Sequence, residues 1–143
     1  KRRGLTRAGL VAVHEAHKML ILSHDEPLYR SLGRVVASFG REEDETIFAR
    51  YEEGFVAAFQ KRATRPRHIN VMEHLFGHLK RMLGPAEKRQ IGVAIEDYRA
   101  GRIPLVVPIS ILRFLVESKE VEYVRGQLYL EPHPREMMLR NHA

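Results

Sequence analysis

The stretch KRATRPRHINVMEHLFGHLKRMLGPAEKR, residues 61–89, combines a helical apolar pattern with a concentration of positive charge. Its apolar residues recur at intervals of three and four, which is the period of a helix that buries one face. They are Met72, Leu75, Phe76, Leu79, Met82 and Leu83. Thr64 and Pro66 are typical of the start of a helix, and Gly84 is typical of its end. The stretch therefore predicts a core helix that begins near Thr64 and stops at Gly84.

The same stretch carries eight Lys or Arg and two acidic residues, a local charge of +6 that equals the formal net charge of the whole chain. At about 100° per residue, the face opposite the apolar stripe is polar. It holds Arg67, Asn70, His74, Gly77, His78 and Arg81. Such a face suits a phosphate backbone and its sugars or bases, but a solvated outer face or a polar seam against another helix would look the same. His68 falls near the apolar side and is predicted to be a buried, hydrogen-bonded histidine.

The sequence on both sides of this stretch is also helical in pattern. Before it, we predict helices over residues 5–23, from Asp25 to about Phe39, and from the acidic run at 42–45 to Lys61 or Arg62. After it, Pro85 begins a helix that Gly101 ends, and residues 109–118 predict another.

Two later segments are irregular in pattern. Pro104 and Pro108 predict an extended link through residues 105–107, and residues 121–130 fit either a short helix or a short strand. Pro134 can begin a short terminal helix to about Asn141. The predicted fold class is all-α, a single compact domain of six or more helices with short loops. Residues 1–4 are predicted to be a basic linker or arm, and residues 5–143 to be the helical domain.

The composition of the 143 residues excludes several classes of function. The chain has no cysteine, which excludes disulfides, thiolate-held iron–sulfur clusters and cysteine nucleophiles within it. No apolar run approaches the roughly 18–20 residues of a membrane span. We therefore expect a cytoplasmic protein with no membrane partner and no cofactor of its own. The pI near 9.9 favours a polyanionic partner, although a solvated basic surface would give the same value.

Eight histidines raise the question of catalysis or metal binding. His14 with His17, and His74 with His78, have helical spacing, but there is no HExxH motif, and we predict no metal site. GxSxG, Walker and GxGxxG motifs are also absent. The catalytic residues are unknown, and the candidates for acid–base chemistry are His17, His24 and His133.

A set of short pieces spread over nearly the whole chain resembles the YbgA family, which is classed as a domain of unknown function. The pieces are His17-Lys18, His24, Tyr29, Leu32-Gly33, Thr64-Arg65, His68, Asn70-Val71, His74, Gly77, Tyr98-Arg99, Gly101, Pro104-Leu105, Pro108, Gln127, Tyr129, Pro132-His133-Pro134 and Leu139-Arg140-Asn141. Their order and spacing make the match specific.

The resemblance implies a function that the residues alone do not establish. Domains of this family occur alone or C-terminal to a cysteine-rich, iron–sulfur thiouracil desulfidase domain of the TudS type. The fused proteins are associated with removal of sulfur from 4-thiouridine in tRNA, and the YbgA-like part is understood to bind the tRNA. The resemblance thus implies a non-catalytic tRNA-binding accessory module, with tRNA and a desulfidase domain, in cis or in trans, as its partners.

The predicted RNA-binding residues combine cations for phosphates with groups for directed hydrogen bonds. They are Lys61, Arg62, Arg65, Arg67, Asn70, His74, Lys80 and Arg81. Two alternatives stay open. One is a small helical enzyme in which His17, His24, His68, His74 and His133 form a pocket for a nucleotide or modified base. The other is a protein-interaction domain that uses the acidic residues between Glu42 and Glu53.

Overall fold

The computed structural model describes residues 6–130, apart from the side chain of Tyr123, and this part of the chain is helical in architecture. Its α-helices are α1 (Arg7–His24), α2 (Glu26–Ala37), α3 (Asp44–Phe59), α4 (Arg65–Leu79), α5 (Pro85–Arg99), α6 (Val106–Lys119) and the four-residue α7 (Glu122–Arg125). Two 3-10 turns, Lys80–Met82 and Leu128–Leu130, follow α4 and α7. The prediction of an all-α, single compact domain with short loops is confirmed.

Side chains at the predicted helix starts bond to the free backbone N–H groups there. Asp25 begins α2, and its Oδ1 accepts a hydrogen bond from the Leu28 backbone N–H at 2.9 Å. Thr64 begins α4 in the same way, with Oγ1 3.4 Å from the Arg67 backbone nitrogen. After α5, Gly101 has φ +79°, a left-handed conformation that a glycine adopts without strain. These three predictions from local sequence are confirmed.

Helix α1 lies between the two parts of the hydrophobic core. Met19 and Leu22 pack with residues of α4, α5 and α6 and of the segment that follows them, whereas Leu10 and Ile21 pack with residues of α2 and α3. A helix that is buried on two sides is apolar around much of its circumference, which is the pattern seen at residues 5–23. Two of the polar residues of α1, His14 and Lys18, are therefore buried themselves.

The predicted extent of the fourth helix is wrong at its C-terminal end. Regular α-helix stops at Leu79, and the chain tightens into the 3-10 turn Lys80–Met82 before Gly84. A 3-10 turn has three residues per turn instead of 3.6, so the apolar face no longer stays in register with the core. Leu83 still reaches the core, but Met82 is 48% exposed, and its prediction as a core residue is wrong.

The extended link predicted for residues 105–107 is also wrong, because α6 already begins at Val106. Pro108 falls in the first turn of α6, where a missing backbone N–H leaves no helical hydrogen bond unmade. Residues 121–130, for which helix and strand were both open, form α7 and the 3-10 turn Leu128–Leu130. The predicted turn at Pro132 and Pro134 and the terminal helix to Asn141 lie outside the described residues, as does the arm at 1–4.

Candidate nucleic-acid interface

The basic residues of the stretch 61–89 lie in two groups at opposite ends of α4. Lys61, Arg62, Arg65 and Arg67 surround its N-terminus, while Lys80 and Arg81 follow its C-terminus and Lys88 and Arg89 lie at the start of α5. Fifteen helical residues at about 1.5 Å each separate the two groups by roughly 22 Å. We call them the N-terminal and the C-terminal basic groups of α4.

Fewer of the eight cations in the stretch 61–89 are paired with a carboxylate than of the other described cations. Within residues 6–130, one of the eight, Lys61, forms an ion pair. Among the eleven Lys and Arg elsewhere in that range, eight are paired with a carboxylate. The paired ones are Arg7, Lys18, Arg30, Arg50, Arg99, Arg102, Lys119 and Arg125. Among residues 6–130, most of the positive charge of the stretch is therefore not paired with a carboxylate, and it can attract an external anion.

Three members of the N-terminal group also have structural contacts. Lys61 Nζ lies 3.1 Å from Oδ2 of the buried Asp25. The Arg65 guanidinium lies over the ring of Tyr98, 4.9 Å from its centroid, and donates to the Tyr98 carbonyl at 2.7 Å. Arg67 donates to the Arg62 carbonyl at 3.0 Å. The half-buried position of Arg65 makes it a packing residue as well as a cation.

The side chains of Arg62, Lys80 and Arg81 are exposed, and in the described part of the chain none of them makes a hydrogen bond or an ion pair. Of the predicted RNA-binding residues, these three are the most available to an external phosphate. The Asn70 side chain is half-buried between the two basic groups, and His74 is exposed there.

The exposed face of α4 borders α1 and α2. The His74 ring lies edge-on to the ring of Tyr29 in α2, with centroids 6.2 Å apart. One turn further, partial burial lowers the pKa of His78, and the positive charge of Lys18 in α1 and the neighbouring His74 lower it further. The polar face of α4 thus continues onto a second polar region, which was not among the predicted sites.

That region is a groove between α1 and α2 with a volume of about 390 Å³. Side chains from both helices line it: His14, Glu15, Lys18, Tyr29, Arg30, Gly33, Val36 and Ala37. Lys18 is only 7% exposed, and its Nζ lies 2.8 Å from Glu15 Oε1. A lysine this buried is rare in proteins unless it is paired. The cation is therefore held at the edge of the groove by a fixed contact.

His14 is buried beside this groove, being only 5% exposed. Its Nδ1 lies 2.9 Å from the hydroxyl oxygen of Tyr51 in α3. Burial is the main cause that lowers the pKa of His14, so the ring is neutral at physiological pH. The sequence pattern singled out His14 only as a possible metal ligand with His17. The spacing of His14 and Lys18, four residues apart in an apolar helix, is the signal that indicates a polar face there.

The histidines predicted for the pocket of the enzyme alternative each have their own contacts in the described part of the chain. His17 packs against Phe55, and its Nδ1 bonds to the Val13 carbonyl at 2.7 Å. His24 packs against Phe59, and its Nδ1 bonds to the Lys61 carbonyl, also at 2.7 Å. Both therefore lie along the seam between α1 and α3.

The other members of that predicted pocket lie elsewhere. His68 is fully buried, and its Nδ1 is 2.7 Å from the Tyr129 hydroxyl, which confirms its prediction as a buried, hydrogen-bonded residue. The ring of His74 is edge-on to the ring of Tyr29, and His133 is outside the described residues. The four described members thus have different nearest aromatic partners, and the cluster with His133 stays a prediction.

Three further features of residues 6–130 bear on alternative functions. This part of the chain contains no group of three or more His, Asp or Glu placed to hold a metal ion. None of its helices combines the length and the apolar character that a membrane crossing needs. In the acidic segment, Glu42 pairs with Arg50 and Asp44 with Arg7, so part of its charge is already used within the chain.

Comparison with known proteins gives a match over most of the chain. A family model described as "Protein of unknown function (DUF1722)" matches residues 18–134. A protein of Escherichia coli (strain K12), described as "Uncharacterized protein YbgA", is 30% identical over 142 residues, which cover 99% of this chain and 84% of that protein. No solved structure matches the chain.

Proposed function

We propose that this chain, which belongs to the YbgA family (DUF1722), is a non-catalytic module that binds tRNA. In this proposal the module presents 4-thiouridine-containing tRNA to a thiouracil desulfidase domain, in cis or in trans, and the desulfidase carries out the chemistry. Both would act in the cytoplasm, where tRNA is found.

The observation that supports the proposal is that most cations of the stretch 61–89 have no carboxylate partner among the described residues. Seven of its eight cations have no carboxylate partner among residues 6–130, and they are concentrated at the two ends of one helix. Protein affinity for nucleic acid comes largely from cations that displace the counterions of phosphates. A surface whose cations are already paired would gain little from such an exchange.

The residues between the two basic groups support RNA as the polyanion. Asn70 and His74 can donate and accept hydrogen bonds, and Gly77 leaves open space, since a Cβ there would meet no atom within 4 Å. RNA recognition uses 2′-hydroxyls and unstacked bases in addition to phosphates. A face with cations at both ends and directed hydrogen-bonding groups between them matches that requirement.

The test is a comparison of tRNA with duplex DNA of similar length, measured as dissociation constants at about 50 and 200 mM salt. We expect preference for tRNA and a loss of affinity of roughly 50- to 150-fold between the two salt concentrations, as for about four neutralised phosphates. The double variant K80E/R81E should weaken tRNA binding at least tenfold, and R62E should act in the same direction.

The matched control is R50E/R125E, which makes the same change in net charge at two exposed, ion-paired positions outside the stretch. It should bind tRNA within about threefold of the wild type if location matters and not only total charge. Equal losses in both double variants, or weak binding of the wild type to both nucleic acids, would contradict the proposal.

The desulfidase part of the proposal has its own test. Adding this module to a purified desulfidase domain should lower the KM for thiolated tRNA and leave the KM for free 4-thiouracil unchanged. An effect on free 4-thiouracil, or none on tRNA, would contradict a role in presenting the RNA.

A further inference from the structure

The groove between α1 and α2 has the size and the chemical composition of a small-molecule site. Its volume of about 390 Å³ lies within the roughly 300–1,000 Å³ that ligand pockets usually have. Val36, Ala37 and Gly33 supply an apolar part, while Lys18, Arg30 and His14 supply polar groups. The mixture is typical of sites that bind a flat polar ring together with a charged group.

His14 provides a hydrogen-bonding atom that the fold leaves unused. Its Nδ1 is occupied by Tyr51, and no group within residues 6–130 bonds to its Nε2. A Cβ placed on Gly33, across the groove, would lie 4.0 Å from this Nε2, so the atom points towards the groove wall that Gly33 leaves bare. Nε2 is not among the fully buried side-chain atoms of the described residues that lack a partner, so it is open to solvent at the groove, and a ligand there could bond to it.

Two cations stand at the same groove. Lys18 is paired with Glu15, and Arg30 donates to Glu26 at 2.7 Å, so the net charge of these four groups is zero. The guanidinium of Arg30 carries five N–H donors, of which the bond to Glu26 uses one, and its side chain is 62% exposed. Phosphate oxygens can therefore still bond to Arg30.

We propose that this groove binds a single nucleotide, with the base beside His14 and Tyr29 and the phosphate near Arg30 and Lys18. The inference rests on the proposed function, because it makes the groove the place where one unstacked nucleotide of the bound RNA is received. The exposed polar face of α4 adjoins the groove through His74 and Tyr29, so one RNA strand could contact both. A bare anion site is disfavoured by the two carboxylates and the apolar residues.

The experiment is a titration of the isolated, isotope-labelled chain with uridine monophosphate, followed by the NMR signals of its backbone amides. We expect saturable shifts concentrated in α1 and α2, and at least tenfold weaker binding of uridine and of inorganic phosphate. Equal competition by phosphate alone, or shifts that spread without saturation, would overturn the proposal.

The variant that tests the location is G33L, which places a side chain in the groove, with G92L as its matched control. Gly92 is also a helical glycine, and a Cβ there meets nothing within 4 Å, but it lies on the exposed face of α5. G33L should lower the affinity for uridine monophosphate at least tenfold, and G92L should leave it unchanged. Equal affinity in G33L and the wild type overturns the groove as the site. The wild-type titration decides the matter if G33L does not fold.

Binding of tRNA separates this inference from the proposed function. If the wild type binds tRNA with the expected salt dependence but does not bind uridine monophosphate, the groove proposal fails and the tRNA proposal stands. If the mononucleotide binds in the groove and tRNA does not bind, the groove is a nucleotide site and the tRNA proposal fails.

Discussion

The side-chain amide of Gln127 contacts α1 at the backbone of Met19, where Gln127 Oε1 accepts a hydrogen bond from the Met19 N–H at 3.1 Å. The Nε2 of the same amide donates to the Glu15 carbonyl. Glu15 C=O and Met19 N–H are the two groups that an α-helix normally joins to each other. Gln127 therefore attaches the C-terminal part of the described chain to α1 within the turn that carries Lys18.

Replacement of Gln127 should destabilise the protein to a degree that depends on the charge of the new side chain. Gln127 is 2% exposed, so Q127E buries a carboxylate with one oxygen facing the Glu15 carbonyl. Q127M removes both polar atoms at similar volume and lets the two backbone groups bond to each other. We expect losses in the free energy of unfolding of about 1–2 kcal/mol for Q127M and about 3 kcal/mol or more for Q127E at pH 7.

Urea denaturation at pH 7 and pH 4.5 measures both effects. Protonation of the carboxylate introduced by Q127E supplies a donor for the Glu15 carbonyl, so the deficit of Q127E relative to Q127M should shrink at the lower pH. Identical stability of the two variants at pH 7 would contradict the bridging role.

The shape of the Arg65 side chain should matter more for protein stability than for tRNA binding. Its guanidinium lies on the Tyr98 ring and bonds to the Tyr98 carbonyl, whereas a lysine cannot keep both contacts. We expect R65K to lose about 1 kcal/mol of unfolding free energy while its tRNA affinity stays within about threefold of the wild type. R67K is the control, because the Arg67 side chain bonds to a loop carbonyl and, within residues 6–130, to no other group; R67K should lose less than about 0.5 kcal/mol. Wild-type stability in R65K, measured by urea denaturation, would mean that the contact with Tyr98 adds nothing.

Two helical glycines should respond to alanine in opposite directions. Gly92 lies in α5 with open space around it, so G92A should raise the free energy of unfolding by about 0.5–1 kcal/mol through helix propensity. At Gly54 in α3, a Cβ would lie 2.7 Å from Cδ2 of Leu32, which is itself buried in the core. In G54A the clash with Leu32 should outweigh the gain in helix propensity. The free energy of unfolding should therefore fall by about 1 kcal/mol. Thermal unfolding followed by circular dichroism distinguishes the two signs, and a stabilised G54A would show that Leu32 can move freely.

Stability should fall as the solution is acidified below pH 6.5, and His14 should contribute to the fall. Burial lowers the pKa of His14 beneath its ordinary 6.5, with Lys18 and His17 adding to the shift and Glu15 opposing it. Between 6.5 and the lower folded value, the unfolded chain binds a proton that the folded chain does not, and the unfolding free energy decreases. H14Q cannot titrate, so its stability should change less than that of the wild type between pH 7 and pH 5.5.

H78Q is the comparison for that measurement. Partial burial also lowers the pKa of His78, but His78 is more exposed than His14, so its removal should alter the pH dependence less. Urea midpoints at several pH values between 7 and 5.5 would show this. Parallel curves for H14Q and the wild type would exclude His14 as a contributor.

The helices were predictable because their signals are local. Capping residues such as Asp25 and Thr64 act on N–H groups two or three residues away, and apolar spacing in residues 61–89 reports which side of a helix is buried. Met82 was mispredicted because its pattern assumed that the helix keeps 3.6 residues per turn, and the 3-10 turn changes that period within three residues.

The candidate site was predictable only in part. The basic character of residues 61–89 is a property of composition, and the polar face of α4 follows from helical geometry. The groove was missed because it needs α1 and α2 to lie side by side, with Gly33 opposite His14. The contacts of the individual histidines were not predictable, because helical spacing says nothing about which neighbour each face meets.

The sequence by itself determined the all-α class, most helix ends and the location of the excess positive charge, since each depends on residues close together in the chain. Tertiary structure decided which cations are neutralised, as with Lys61 on Asp25, and which polar groups meet, as with Gln127 on the turn of α1 that carries Lys18. Those pairings join residues 36 and 108 positions apart. Only the packing of the helices brings such residues into contact, and no local pattern encodes it.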